Sequence, residues 1–272
     1  MKKIGRILKK KVGWWATVIG LLFLLALGIV IFFNNSLFEP FDTTLGGQNP
    51  DDDIQIDFYV ITLGREERLK NIETQQKKIK KPIVHIEAVF GDDLNLDDYD
   101  NIDPKFKSNE RERKRVIGCF MSHVKTYKRI KSDGPINGYS VLLEDDFTIL
   151  PEVKDIEAKL SEMIREMKDR DFDLLFLENS SGNSGEEQKK GICLVESDKP
   201  IYGNMALLIK NKNVDKIIYE SRTIKDPIDV VLSKAIQDKR LTAYTACPFL
   251  FNSRNQVSTI NDVLVDPNAI FT

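Results

Sequence analysis

The chain has 272 residues, of which 40 are basic and 42 acidic, for a net charge of −2. Six of the basic residues precede the first apolar segment, so the remainder is more acidic than the whole. This balance excludes nucleic acid as a partner, because its phosphates require clustered lysine and arginine. Three cysteines are too few for a disulfide framework, and the sequence does not show which two would form a single bridge.

The N-terminal segment predicts a membrane anchor. Residues 1–13 form a basic tail without acids, and residues 14–33 contain no charge. A helix of that length spans about 30 Å, the thickness of a bilayer core, and the basic tail predicts a cytoplasmic N-terminus. A cleaved signal peptide is the alternative, but its apolar region is usually shorter, about 7–15 residues, and a small-residue cleavage site should follow.

These features predict a single-pass type II protein. Residues 34–56 are expected to form a stalk, rich in glycine, proline and aspartate, and residues 57–272 the main folded domain. That domain would face the lumen or the exterior, which means the ER or Golgi if the source is eukaryotic or viral. Residues 14–33 would contact membrane lipid.

The domain alternates predicted strands and helices. The strands are expected at 57–63, 83–89, 139–143, 172–177, 192–196 and 241–246, and the helices at 65–80, 111–131, 151–168, 214–219 and 227–237. An acidic segment without periodicity, 92–109, is expected to be a long loop. The alternation predicts an α/β fold with a Rossmann-type, mainly parallel sheet and helices on both faces. Such sheets bind ligands at the carboxyl ends of their strands.

Three consecutive acids, Glu144, Asp145 and Asp146, follow the apolar strand 139–143. Neighbouring carboxylates raise one another's pKa, and a hard divalent cation bound by their oxygens relieves the repulsion. Such an ion can hold a diphosphate, so the acids indicate a sugar-nucleotide site. The alternative is a solvated acidic turn that opens the next helix, where acids are favourable.

Five segments in order carry a family resemblance. The strand 58–63, followed by Arg65 and Arg68, resembles the first motif of glycosyltransferase family 25. This family includes bacterial lipooligosaccharide galactosyltransferases and collagen hydroxylysine galactosyltransferases. The other resembling segments are 117–123, 143–146, 202–209 and 227–229. The resemblance covers roughly residues 57–255 and departs from the family at Thr62, usually Asn, at Asn204, usually Thr, and in the insert 92–109.

The resemblance implies a GT-A-like fold, a nucleotide-sugar donor, an inverting reaction and usually a manganese ion. The donor would be a UDP-hexose, with galactose first and glucose second. The acceptor would be a glycan, a glycolipid or a hydroxylated protein side chain. A catalytically inactive, membrane-anchored module that binds glycan or protein is the alternative. A metal-dependent phosphohydrolase is disfavoured, because the chain has only two histidines.

Each motif residue receives a predicted role. Asp146 is the principal metal ligand, with Glu144 beside it. Asp229 is the base that removes the acceptor proton, and Asp145 is the second catalytic candidate. Either Glu144 or Asp145 would contact the ribose or a metal-bound water. The predicted donor-binding residues are Thr62, Arg65, Arg68, Glu144 and Asn204.

Two of these assignments have structural alternatives. Arg65 and Arg68 lie three residues apart and are expected on one helical face, where both would reach a diphosphate, but they could be ordinary surface charges. Asp229 could instead cap the helix that follows it.

A second group of reactive residues, in segment 117–123, needs a separate interpretation. Ser122 and His123 are adjacent on a helix and point in different directions, so they do not form a dyad. Cys119 and His123 lie four residues apart and could form a thiol nucleophile or half of a metal site. The favoured prediction is that His123 packs and hydrogen-bonds beside the acidic strand end.

Overall fold

A computed structural model describes residues 54–106, 111–180, 191–195 and 200–253, all within one compact unit. The predicted basic tail, the predicted anchor and nearly all of the predicted stalk lie outside these ranges. No helix in these ranges is long and apolar enough to cross a membrane. The anchor at 14–33 therefore stays a prediction from the sequence.

The described residues form nine strands, and seven of these make up a mixed sheet at the centre of the unit. The strands in chain order are β1 (Ile56–Thr62), β2 (Ile83–Glu87), β3 (Tyr139–Glu144), β4 (Thr148–Ile149), β5 (Leu174–Phe176), β6 (Gly191–Leu194), β7 (Ala206–Lys210), β8 (Ala243–Cys247) and β9 (Phe251–Asn252). The order across the sheet is β2-β1-β3-β7-β5-β8-β6, and β4 pairs separately with β9. Strands β2, β1, β3, β5 and β8 share one direction, whereas β7 and β6 run against them. This confirms the predicted mainly parallel sheet.

Helices cover both faces of this sheet, as predicted. They are α1 (Glu66–Gln76), α2 (Arg111–Asp133), α3 (Ile156–Glu166), α4 (Val214–Glu220) and α5 (Ile228–Gln237). Alternate side chains of a strand point to opposite faces. Tyr59 and Ile61 of β1 accordingly pack in one core with α2, α4 and α5, while Phe58 and Val60 pack in a second core with α1 and α3.

Strand β7 is the main difference from the sequence prediction. In the sequence, segment 202–209 carries a family motif but no predicted strand. In the structure, Ala206–Lys210 forms the central strand and pairs antiparallel with both β3 and β5. Its residues 206–209 are all 0% exposed. A strand buried on both faces has no alternation of polar and apolar residues, so periodicity does not distinguish it from a short buried helix.

The acidic insert is more ordered than the predicted loop. It contains short 3₁₀ turns at Gly91–Asp93, Leu96–Asp98 and Pro104–Phe106. Ile102 is buried and forms a parallel bridge with Ile224, and backbone hydrogen bonds of 2.8 and 2.9 Å fix the insert to the segment before α5. The described part of the insert is therefore a packed wall of the domain.

The structure also settles the cysteine pairing that the sequence left open. Cys193 of β6 and Cys247 of β8 form a disulfide between adjacent strands, 54 residues apart in the chain. Cys119 on α2 is free.

Candidate active site

A cleft of about 90 Å³ lies at the carboxyl ends of the parallel strands β1, β2 and β3. This is where an open α/β sheet is expected to bind its ligand. The cleft walls come from the three strand ends and from α2. The lining residues that carry chemistry are Thr62, Arg65, Arg115, Cys119, Ser122, His123, Glu144 and Asp145.

The acidic turn after β3 is held in a fixed position. The N–H of Glu144 donates to the Met205 carbonyl at 2.9 Å, and the N–H of Phe147 donates to the Glu144 carbonyl at 3.0 Å. The side-chain amide of Asn71 on α1 donates to the carbonyls of Asp145 and Phe147, at 3.0 and 2.8 Å. The sequence pattern gives no signal for Asn71, because its partners lie more than seventy residues away in the chain.

Two of the three acids, Asp145 and Asp146, form ion pairs with the buried guanidinium of Arg68. Arg68 is 3% exposed, with Nε 3.7 Å from Asp145 Oδ1 and Nη1 3.4 Å from Asp146 Oδ2. Burial raises the pKa of Asp145, although the Thr62 hydroxyl and Arg68 oppose the rise. Burial, followed by the charge of Glu144, raises the pKa of Asp146 to about 7. The positive charge of Arg68 therefore does not fully offset the three carboxylates.

The predicted donor residues of the first motif separate in space. Arg65 precedes α1 in an extended conformation, is exposed and lines the cleft, whereas Arg68 turns inward to the acids. The two arginines do not share a face, because the helix begins only at Glu66. Thr62 is 6% exposed, and its hydroxyl accepts the N–H of Gly64 at 3.0 Å. Gly64 has a φ of +72°, a conformation that favours glycine.

His123 occupies the position that the sequence predicted. It is 0% exposed, and its Nε2 lies 3.0 Å from Oε1 of Glu144. Cys119, one helical turn earlier, is close to both residues. Burial raises the pKa of the Cys119 thiol well above its ordinary value, and the charges of Glu144, Asp229 and Asp146 add to the rise. A neutral thiol is a poor nucleophile, so the geometry disfavours the thiol-nucleophile interpretation.

Two glycines and a serine fix the cleft wall that α2 and the segment after β2 form. A Cβ on Gly118 of α2 would lie 2.7 Å from the Val89 carbonyl oxygen, and one on Gly91 would lie 2.3 Å from the Lys114 carbonyl oxygen. Ser122 donates to the Gly118 carbonyl at 2.7 Å and accepts the N–H of Val89 at 2.8 Å. Helix α2 and the segment after β2 therefore meet backbone to backbone, and Ser122 has a structural role.

The predicted base begins the last helix. Asp229 Oδ2 accepts the N–H of Gly203 at 3.2 Å, and Oδ1 accepts the N–H of Val230 at 2.8 Å. The amide of Asn204 is 5% exposed, and in its hydrogen-bonding orientation its oxygen accepts the Asp229 N–H at 3.3 Å. Asn204 and Asp229 are thus brought together. The negative charge of Asp229 also contributes to the raised pKa of Cys119 in the cleft wall.

The acids fit a divalent cation. Asp146 Oδ1 is buried and has no hydrogen-bond partner within the described ranges. A buried carboxylate oxygen without a donor is unfavourable, and hard cations prefer carboxylate oxygens. Asp146 and Glu144 supply such oxygens, and Glu144 and Asp145 both line the cleft. The roles of these residues in metal and donor binding stay predictions.

The fold and site define an α/β protein with a cleft at the carboxyl ends of its parallel strands, lined by both acidic and basic side chains. The profile of glycosyltransferase family 25 (LPS biosynthesis protein) matches residues 55–232. The chain belongs to glycosyltransferase family 25 and is a glycosyltransferase by that membership. A search of curated proteins finds no match.

Proposed function

We propose that the protein is a membrane-anchored, metal-dependent transferase that moves a hexose from a UDP-sugar to a hydroxyl, with inversion at the sugar. Galactose is the first candidate and glucose the second, by resemblance to the family. The acceptor is a glycan, a glycolipid or a hydroxylated protein side chain. The observation that carries the proposal is the buried Oδ1 of Asp146, which has no hydrogen-bond partner among the described residues and lies next to two further carboxylates at the cleft.

Asp146 and Glu144 hold a divalent cation, Mn²⁺ by resemblance, in this proposal. A bound ion of this kind offsets the charge that develops on the departing UDP. Arg65 stands exposed at the cleft wall, from which its guanidinium reaches a diphosphate bidentately. Arg68 supports the site from inside the domain by holding Asp145 and Asp146 in position.

Asp229 removes the proton of the acceptor hydroxyl as the sugar is transferred. Two backbone N–H groups hold its carboxylate in one orientation, which a general base requires. In this proposal Asn204 contacts the sugar of the donor, and Thr62, which lines the cleft, contacts the nucleoside. Asp145 contacts the ribose or a metal-bound water.

The cellular side of the proposal depends on the sequence. Residues 14–33 anchor the chain in the membrane, and the basic tail places the N-terminus in the cytoplasm. The catalytic domain then faces the lumen or the exterior. The Cys193–Cys247 disulfide supports this placement, because disulfides persist mainly in oxidising compartments.

Ligand-induced thermal stabilisation tests the proposal. The full chain in detergent is titrated with UDP-galactose and UDP-glucose, with and without Mn²⁺, and UDP release is measured in the presence of candidate acceptors. Mn²⁺-dependent stabilisation and acceptor-dependent UDP release are expected. Asp146→Ala should lose the Mn²⁺-dependent donor binding and stay folded, whereas Asp97→Ala, which removes an exposed acid on the insert, should behave as the wild type.

The alternatives give different results in this experiment. An inactive binding module would bind ligand without releasing UDP, and a phosphohydrolase would release inorganic phosphate. Unchanged metal-dependent donor binding in Asp146→Ala would refute the metal-ligand assignment.

A further inference from the structure

A compact set of soft and borderline metal ligands lies at the cleft wall. Cys119, His123 and Glu144 each offer one ligand atom, and these atoms all lie within 4.8 Å of one another. Cys119 and His123 are one turn apart on α2, so their side chains share a face of the helix. Glu144 comes from the end of β3, and its Oε1 is already 3.0 Å from His123 Nε2.

We propose that Cys119, His123 and Glu144 form a Zn²⁺ site. This site shares Glu144 with the manganese site proposed above, but its ligands favour a different metal. Tetrahedral zinc places such ligand atoms roughly 3.3–3.6 Å apart, so the most widely separated atoms need to move together by about an ångström, while Glu144 Oε1 and His123 Nε2, 3.0 Å apart, need to separate slightly. Thiolate and imidazole ligands select zinc, whereas Mn²⁺ prefers carboxylate oxygens. The pair Glu144 and Asp146 is therefore suited to Mn²⁺ and the trio to Zn²⁺.

The surroundings favour a cation at this position. Glu144, Asp146 and Asp229 all act on the Cys119 thiol with negative charge, and a bound divalent ion deprotonates a coordinating thiol outright. All three proposed ligands line the cleft. The fourth zinc position would therefore face the cleft and remain open to water or ligand, as in zinc sites with three protein ligands.

One consequence concerns regulation, and this consequence alone rests on the proposed function. Glu144 belongs to both proposed metal sites, so Zn²⁺ bound by the trio withdraws Glu144 from Mn²⁺. Zinc is expected to weaken Mn²⁺-dependent donor binding in the wild type. The same zinc concentration should have much less effect in Cys119→Ser.

Cobalt spectroscopy of the full chain tests the zinc site without requiring transferase activity. Co²⁺ substitutes for Zn²⁺ and gives a near-ultraviolet charge-transfer band only when a thiolate is bound. The chain has three cysteines, and two form the disulfide, so Cys119 is the source of any such band. A thiol titration of the unfolded chain should first confirm one free thiol. One equivalent of Co²⁺ should then develop the band, and Zn²⁺ should abolish it.

The variants separate this inference from the proposed function. Cys119→Ser and Glu144→Gln should lose or strongly weaken the cobalt band, whereas Met121→Leu, a sulfur-bearing neighbour on the same helix, should keep it. Asp146→Asn should keep the band while losing Mn²⁺-dependent donor binding. Absence of a charge-transfer band in the wild type with its free thiol confirmed, or a band unaffected by Glu144→Gln, overturns the zinc site.

Discussion

Two carboxylates near the cleft, Asp146 and Asp229, have opposite hydrogen-bonding states. In the part of the chain that the structure describes, one buried oxygen of Asp146 has no hydrogen-bond partner, and the other lies 3.4 Å from Nη1 of Arg68. Both oxygens of Asp229 accept backbone N–H groups, from Gly203 and Val230. A carboxylate whose two oxygens accept hydrogen bonds is oriented by the protein alone. A carboxylate with a buried oxygen that lacks a donor is stabilised by a proton or a cation. This contrast supports different roles, base for Asp229 and metal ligand for Asp146.

The largest expected effect comes from removing the proposed base. Asp229→Asn keeps the size of the side chain but removes its proton-accepting charge, so turnover should fall by about 10²–10⁴-fold. Mn²⁺-dependent binding of the UDP-sugar should be retained, since the ligand site is separate. Steady-state kinetics and donor titration measure the two properties. Asp146→Asn should instead lose Mn²⁺-dependent binding of the UDP-sugar. If both variants lost donor binding and turnover to the same extent, the different roles of Asp146 and Asp229 would be contradicted.

The second-largest expected effect is a loss of stability when the buried Arg68 is replaced. Arg68→Met leaves Asp145 and Asp146 without their positive partner, and breaking a buried pair costs about 3–5 kcal/mol. Urea denaturation in EDTA should show this loss, and saturating Mn²⁺ should restore part of it by replacing the missing charge. Lys70→Met on the same helix removes only an exposed pair with Glu66, worth about 0.3–0.5 kcal/mol. Equal losses in the two variants would contradict the role of Arg68.

The pH dependence of stability follows from the raised pKa of Asp146. In the metal-free folded protein this carboxyl keeps its proton up to a pKa of about 7, whereas in the unfolded chain it releases it near 3.8. The folded state therefore binds more protons in this window, and its stability decreases as pH rises. Between pH 5 and 7 the expected loss is about 2 kcal/mol, at 1.36 kcal/mol per unit.

Denaturation in EDTA across this pH range measures the effect. Asp146→Asn should show a shallower slope than the wild type, because residue 146 no longer titrates while Asp145, whose pKa burial also raises, still does. Saturating Mn²⁺ should remove or reverse the wild-type slope, since the cation competes with the proton. A wild-type slope identical to that of the variant would show that Asp146 is not the titrating group.

The smallest expected effect tests how the acidic turn is held. Asn71→Ala removes two hydrogen bonds to the carbonyls of Asp145 and Phe147 and should cost about 1–2 kcal/mol. Thr74→Ala, which removes a bond to Lys70 within the same helix, should cost less because the site is exposed. Thermal denaturation compares the two, and a larger loss in Thr74→Ala would contradict the importance of Asn71.

Much of the fold was predictable because its signals are local. Short apolar runs placed β1, β2 and β3, and the helical pattern placed α2, within a few residues of their observed bounds. The acids after an apolar run correctly indicated a strand end at the cleft, and the contact of His123 with that end is confirmed. Strand β7 was missed because complete burial leaves no alternating pattern.

The sequence by itself determined the order of the family motifs, the charge-free segment at 14–33 and the run of three acids. Only the tertiary structure decided that Arg68 turns inward while Arg65 faces the cleft, and that Cys193 pairs with Cys247. It also decided that one oxygen of Asp146 has no hydrogen-bond partner among the residues described. The physical reason is that propensity and periodicity act between near neighbours in the chain. Burial, charge pairing and hydrogen-bond satisfaction depend instead on residues that meet only after folding.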